Sequence, residues 1–335
     1  MAAAKGYIET SRQVQSILED VRSGIFKYVY LLMGEEPYYP EMVCQAILDN
    51  CLQDWEKDFN QTVCYGGEVD ADTVITAARR FPMMADRQLV VVKEAQQMKQ
   101  LEDLALYCQQ PLDSTVLVIL MHGASADKRK ALYKTVLKTG VVVESNALRD
   151  YEVPQWIQDY YNGLGLNIHP EAAQLLAESA GTDLGKIAVE TDKLLKNLPE
   201  GVKDISAEDI EKNIGISRQY SIFELTKCLS YRDAPRALKI AMHIGDAPRF
   251  MLPMAVAPLF THFSRILRYN AGETPKVNPY FLREYDAAKR NYPLPKCQAA
   301  ISILCEYDFK GKGGDAGEAS QGELLMELIT KLLNV

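Results

Sequence analysis

Residues 28–38 read YVYLLMGEEPY, an apolar and aromatic run from Tyr28 to Met33 that stops at Gly34 and gives way to Glu35, Glu36, Pro37 and Tyr38. A short apolar run bounded by turn residues is the pattern of a buried strand. Working outward, four further runs of the same kind follow: Phe59 to Tyr65, Leu89 to Val92 (LVVV), Thr115 to Met121 (TVLVILM) and Val141 to Val143. Helical patterns separate them. Val43, Cys44, Ile47, Leu48 and Cys51 form one apolar stripe at helical spacing, and Val74, Ile75, Ala78 and Phe81 form another. Strand and helix in strict alternation predict a parallel sheet covered on both faces, an α/β domain ending near residue 148.

After Asp150 the strand signal stops. The sequence then reads as helices broken at Gly163 to Gly165, Gly181, Pro199 to Gly201 and Gly215, with Pro170 suited to a first helical turn and Ser206 with Asp209 resembling a capping box. This block predicts a small helical domain over 149–215. A last all-helical block runs over 216–335, interrupted at Thr274 to Pro279 and at Lys310 to Gly322 (KGKGGDAGEASQG), the latter a flexible loop by composition. No internal repeat is visible.

The chain has 335 residues, of which 47% are apolar and 24% charged, as in soluble proteins of two or three domains. The first twenty residues carry charges throughout, and no stretch approaches the length of a membrane span, so neither a signal peptide nor a span is expected and the cytoplasm is the expected compartment. A net charge of −8 argues against strong autonomous binding to phosphate backbones, although local basic patches remain open. Seven cysteines without a CxxC pair and four scattered histidines point to neither a disulfide framework nor a metal site.

An α/β core followed by a helical lid is the layout of AAA+ nucleotide-binding modules, which places a phosphate-binding loop directly after the first strand. Gly34 to Tyr38 does not fit GxxxxGK[ST], because two acids stand where backbone amides and a lysine would meet phosphate. After Val92 comes Lys93, which cannot replace a carboxylate that organises magnesium. Gly181 to Lys186 (GTDLGK) is one residue short of the motif, has Ile187 in place of the hydroxyl, and reads as a helix C-cap followed by a new helix. Gly123 to Asp127 (GASAD) lacks the last glycine of a nucleophile elbow. No catalytic residue, cofactor or metal is therefore expected.

Two features suit a binding role. Between Phe81 and Leu89 lies Pro82, Met83, Met84, Ala85, Asp86, Arg87, where a proline able to start a short helix precedes two methionines flanked by Arg79, Arg80 and Arg87. The pair either stands outward as an apolar tip or fills gaps in the core. The second feature is Asp127 to Lys138, with Lys128, Arg129, Lys130, Lys134 and Lys138 around Leu132 and Val136. It reads as a solvated helix face, with an acidic partner or DNA as the alternative.

Six segments together resemble the bacterial DNA polymerase III delta-subunit family: Tyr28 to Tyr38, Phe81 to Glu94 (FPMMADRQLVVVKE), Asp127 to Lys134 (DKRKALYK), Thr182 to Leu195, Ser206 to Leu225 and Tyr307 to Leu333. The resemblance implies a degenerate AAA+ domain (1–148), a helical lid (149–215) and a helical collar (216–335) that joins a pentameric clamp loader. It implies a subunit without ATPase activity, within the DNA polymerase III holoenzyme, that binds the sliding clamp and opens its ring for loading onto primed DNA. The implied partners are the clamp (beta subunit), the loader ATPase subunits (gamma/tau), delta-prime and primed DNA inside the complex, with no membrane. In the family a short helix inserts an adjacent apolar pair into a clamp pocket. That pair falls on Met83 and Met84, and the implied contact set is Pro82, Met83, Met84 and Arg87, with Arg79 and Arg80 as rim charges. The competing expectations are an active AAA+ ATPase subunit and a stand-alone DNA-binding protein.

Overall fold

The computed structural model describes residues 3–199, 201–214, 221–248, 250–273, 279–314 and 317–335. The break expected at Gly215, the interruption at residues 274–278 and residues 315–316 of the glycine-rich stretch lie outside the described residues. Two compact units emerge: Met1–Leu148 with Asp183–Gly185, and Arg149–Thr182 with Lys186–Val335.

The first unit opens with α1 (Ala3–Arg22), which the strand-centred reading of the sequence passed over. Its signal is present, since Val14, Ile17 and Val21 recur at helical spacing and are buried. There follow β1 (Val29–Met33), α2 (Tyr38–Asn50), α3 (Asp54–Asn60), β2 (Gln61–Tyr65), α4 (Ala71–Ala78) and β3 (Gln88–Lys93). α5 (Leu104–Cys108), β4 (Thr115–Leu120), α6 (Ala131–Thr139) and β5 (Val141–Glu144) complete the unit. The five strands form one sheet in the order β2-β3-β4-β1-β5, and every pairing is parallel. All residues of β1 and β4 are buried, which is why they read as continuous apolar runs and not as alternating ones. One face packs Val29, Leu31, Val90, Val92, Leu117 and Ile119 against Val74, Ala78, Tyr107, Leu132 and Val136. Tyr30, Leu32, Leu89, Val91 and Val118 alternate with these and are equally buried, facing the other layer. Each such aliphatic side chain contributes about 1.5–3 kcal/mol on burial, which opposes the entropy cost of ordering the sheet.

β2 is one of the two edge strands and starts at Gln61, because Phe59 and Asn60 of the expected run belong to α3. The second apolar stripe is also shorter than expected. α4 ends at Ala78 with Arg79 as its C-cap, and Phe81 lies beyond it, 84% exposed. The proline at 82 disfavours helical backbone at the residue before it, so helical spacing cannot be extended to Phe81.

The second unit starts with α7 (Val153–Gly163), β6 (Asn167–Ile168), α8 (Pro170–Ala180), α9 (Leu184–Asn197), β7 (Asp204–Ile205) and α10 (Ala207–Ile214). β6 and β7 pair in parallel over two residues each, a correction to the expectation that no strand follows Asp150. Two residues are too few to show any periodicity. α11 (Ile222–Tyr231), α12 (Ala234–Gly245), α13 (Pro253–Asn270), α14 (Leu282–Asn291), α15 (Leu294–Gly311) and α16 (Gln321–Asn334) follow. Leu229, Ile240, Leu259, Phe263, Tyr292, Leu304 and Leu328 are among the residues of their common core.

The expected loop at Lys310 to Gly322 is the connection between α15 and α16, shortened by two helical residues at either end. α15 continues to Gly311, and α16 begins at Gln321 behind a capping box made by Ser320 and Glu323. Gly322 is required by packing: a Cβ there would lie 2.9 Å from the carbonyl oxygen of Gly245 at the end of α12. Five of the seven cysteines are buried, and none is paired in a disulfide. Burial pushes the Cys51 and Cys108 thiols up to about 12, as befits small apolar fillers and not reactive groups.

Candidate functional site

The connection from β1 to α2 occupies only Gly34 to Pro37. Gly34 has φ 134° and its amide donates to Ala124 O at 2.8 Å, and a Cβ on it would fall 1.9 Å from Ser145 O. Glycine is thus demanded there by backbone crowding. Glu36 is buried, and its Oε1 accepts from the Tyr38 amide at 3.0 Å. Burial raises its carboxyl, while the Tyr38 amide acts in the opposite sense. A protein carboxyl therefore takes up the helix-terminal amide that a bound phosphate would use. The GTDLGK segment is a helix junction: Gly181 caps α8 at φ 70°, and Lys186 Nζ donates to Ser179 O at 2.9 Å.

Among the described residues no cluster of His, Cys, Asp or Glu suits a metal ion. In the basic segment, Lys128 pairs with Glu144 at 2.7 Å and Arg129 with Asp127 at 3.0 Å. The Arg129 side chain, with its own amide, holds the Asp127 carboxyl down at about 2. Leu132 and Val136 point into the core and Lys134 and Lys138 into solvent on α6, while Lys128, Arg129 and Lys130 precede the helix, so the solvated helix face of the sequence reading holds only for the second half of the segment. Lys310 and Lys312, near the glycine-rich stretch, pair with Glu306 at 2.8 Å and Asp308 at 2.7 Å.

The connection between α4 and β3, residues 79–87, is different in kind. Met83 is 60% and Met84 89% exposed, so neither fills the core. Phe81 joins them as a third exposed apolar side chain, one that the stripe reading had assigned to the interior. Pro82 and Arg87 are half-buried, and Arg79 and Arg80 are exposed. The Arg87 guanidinium lies 4.9 Å from the centroid of the Phe26 ring, so this cation is held by its own chain.

No helix forms between Pro82 and Arg87, contrary to the sequence expectation. Asn60, at the end of α3, accounts for the difference. Its Oδ1 accepts from the Met83 amide at 2.6 Å, and its Nδ2 donates to Met83 O at 3.0 Å. A residue whose two backbone groups are both engaged in this way contributes neither to a helical ladder. Met84 follows at φ 54°, in the left-handed region that interrupts a right-handed helix.

The base of the connection is equally fixed. Buried Gln88 donates from Nε2 to Arg80 O at 2.6 Å, and to Thr115 Oγ1 at 2.9 Å. Thr115 Oγ1 in turn donates to Ala78 O at 2.9 Å. The last carbonyls of α4 are thereby satisfied, and the exposed methionines sit on an anchored tip. Two further apolar side chains, Trp55 and Phe59, stand exposed on α3, four residues apart and hence on one helix face.

Residues 30–146 match the family described as DNA polymerase III, delta subunit. The chain is 27% identical to DNA polymerase III subunit delta of Bacillus subtilis (strain 168), over 94% of this chain and 95% of that one. It is 23% identical to the probable DNA polymerase III subunit delta of Aquifex aeolicus (strain VF5), over 63% of this chain and 62% of that one. Among solved structures, the Bacillus subtilis DNA clamp loader delta protein superimposes with a TM-score of 0.58 at 24% identity, covering 96% of this chain and 100% of that one. The resemblance read from the six segments is borne out on both counts: the likeness to DNA polymerase III delta subunits runs through nearly the whole sequence, and the fold is the clamp-loader delta fold.

Proposed function

We propose that this delta-type chain binds the sliding clamp through the tip at residues 81–84 and holds the ring with one interface open while a clamp loader places it on primed DNA. The observation that carries the reading is the exposure of Met83 and Met84 on a connection anchored at its base and its middle. Long unbranched side chains on a fixed backbone adapt to a preformed apolar groove at low ordering cost. Pro82 contributes to the shape of the tip. Arg79 and Arg80 act as rim charges that speed encounter, a role that Arg87, stacked on Phe26, shares only in part.

The chain does not hydrolyse ATP in this reading, since its first loop lacks the phosphate cradle and presents Glu36 to the helix terminus. Energy for the cycle then comes from ATPase neighbours of the gamma/tau kind, with delta-prime completing a pentamer joined through a collar at 216–335. Residues 149–215 form the lid between the clamp-binding domain and that collar. The compartment is the cytoplasm, where replication takes place in bacteria.

Opening a ring demands that the open form be bound more tightly than the closed one, because equal affinity for both shifts nothing. The test is equilibrium binding of the purified chain to the intact clamp ring and to a clamp made monomeric by substitutions at its own interface. Tighter binding to the monomer, by about tenfold or more, is expected, since part of the energy spent on the ring goes into opening it. Equal affinities would leave a clamp-binding protein that does not open the ring.

A further inference from the structure

We infer that Asn60 is the positioning residue of the tip: it sets the direction of the Met83 and Met84 side chains without itself touching the partner. The inference rests on the clamp-binding reading above and adds to it a residue outside the methionine segment. Asn60 is the last residue of α3, 23 positions before Met83, and is 4% exposed. Its carboxamide makes three bonds, all within its own chain, with Oδ1 on the Met83 amide and Nδ2 on both Met83 O and Glu56 O, the last at 3.1 Å. Asn60 therefore ties the tip to α3, a helix braced at its start by a capping box between Gln53 and Glu56.

An amide side chain carries an acceptor oxygen and a donor nitrogen on one carbon, which lets it accept from the backbone N–H and donate to the C=O of the same residue. The two bonds hold Met83 by both of its backbone groups and leave its side chain outside. The next residue then turns through the left-handed region, at φ 54° for Met84, which points the second methionine away from the course a helix would give it. A methionine in that region is uncommon and is retained where surrounding bonds over-determine the backbone. Without Asn60 the tip would sample many backbone states, and partner binding would have to order it. Affinity falls by the cost of that ordering even though every contacting side chain is still present.

The test is a double-mutant cycle on the full chain, with the purified sliding clamp as the probe and affinity and melting temperature measured on each variant. Asn60→Ala should weaken clamp binding by about tenfold, the loss expected for two backbone hydrogen bonds that order a loop. In the Met83→Ala/Met84→Ala background the same substitution should have no further effect on affinity, because there are no side chains left to position. Hydrogen exchange at the Met83 amide should lose its protection in Asn60→Ala. Asn60→Ser, which is too short to hold both backbone groups of Met83 and buries no charge, should show a comparable loss and serves if the alanine variant does not fold. Affinity within twofold of the parent for the folded Asn60 variants, alongside a large loss for Met83→Ala/Met84→Ala, would overturn the positioning role and leave the clamp-binding reading standing. No loss of affinity in Met83→Ala/Met84→Ala would instead remove that reading, and the positioning role with it.

Discussion

Ser230, His262 and Glu284 meet in the helical core of the second unit, with Ser230 Oγ 3.0 Å from His262 Nε2 and 3.1 Å from Glu284 Oε1. The same hydroxyl lies 2.9 Å from Thr226 O, so its one proton has more than one acceptor in reach, and a further proton comes from His262 Nε2 or from a protonated Glu284. Burial pushes Glu284 up to about 7 from an ordinary 4.5, and burial also pushes His262 down to about 3 from 6.5. The signs follow from linkage. A carboxyl with a raised folded value contributes stability that is fully present below about 4.5 and is lost as the pH rises through about 7. His262 contributes stability above 6.5 that is lost as the pH falls toward 3, and it does so whether residue 284 is Glu or Gln. Glu284→Gln should therefore gain on the parent protein between pH 5 and pH 8, by roughly 3 kcal/mol in denaturant-unfolding stability. A difference that does not vary with pH would mean that Glu284 titrates normally. This network was not legible in the sequence, because its members are 32 and 54 residues apart and none belongs to a motif.

Among the elements, what could be read depended on how local the cause was. The buried strands of the first unit announced themselves as apolar runs, because a parallel sheet covered on both faces removes every side chain from water. The end of α4 did not. Phe81 continues the spacing of Val74 and Ala78, and only the bonds from Gln88 and Thr115 to the last helical carbonyls, with Pro82 next in line, show why the helix stops before it. Asn60 escaped for the same reason, since its partner is 23 residues away and the residue reads as part of the strand run Phe59 to Tyr65. Gly322 was misread as a loop residue when its cause is the crossing of α12 and α16. Gly322→Ala should thus lower stability by about 1–3 kcal/mol through overpacking, measured as a fall in melting temperature. An unchanged melting temperature would return Gly322 to the loop class.

At the scale of the whole molecule, the two units each have a core of their own, one built on the sheet and one on the helices from α11 to α16. Their separate tasks can be tested with fragments. Residues 1–148 should bind the clamp and not the other loader subunits, and residues 149–335 should do the reverse, as read by co-purification with each partner. Reversed partners would exchange the roles assigned to the units. The central claim, that the exposed methionines are the clamp contact, is tested most directly by measuring clamp affinity and melting temperature on the full chain carrying Met83→Ala and Met84→Ala. Burial of each side chain in a partner pocket contributes about 1.5–3 kcal/mol, and alanine retains part of the contact, so a loss of about 10² to 10³ fold in affinity is expected. The melting temperature should stay where it is, since both residues already face solvent in the free chain. A marked fall in melting temperature, with clamp affinity unchanged in the protein that remains folded, would contradict the account.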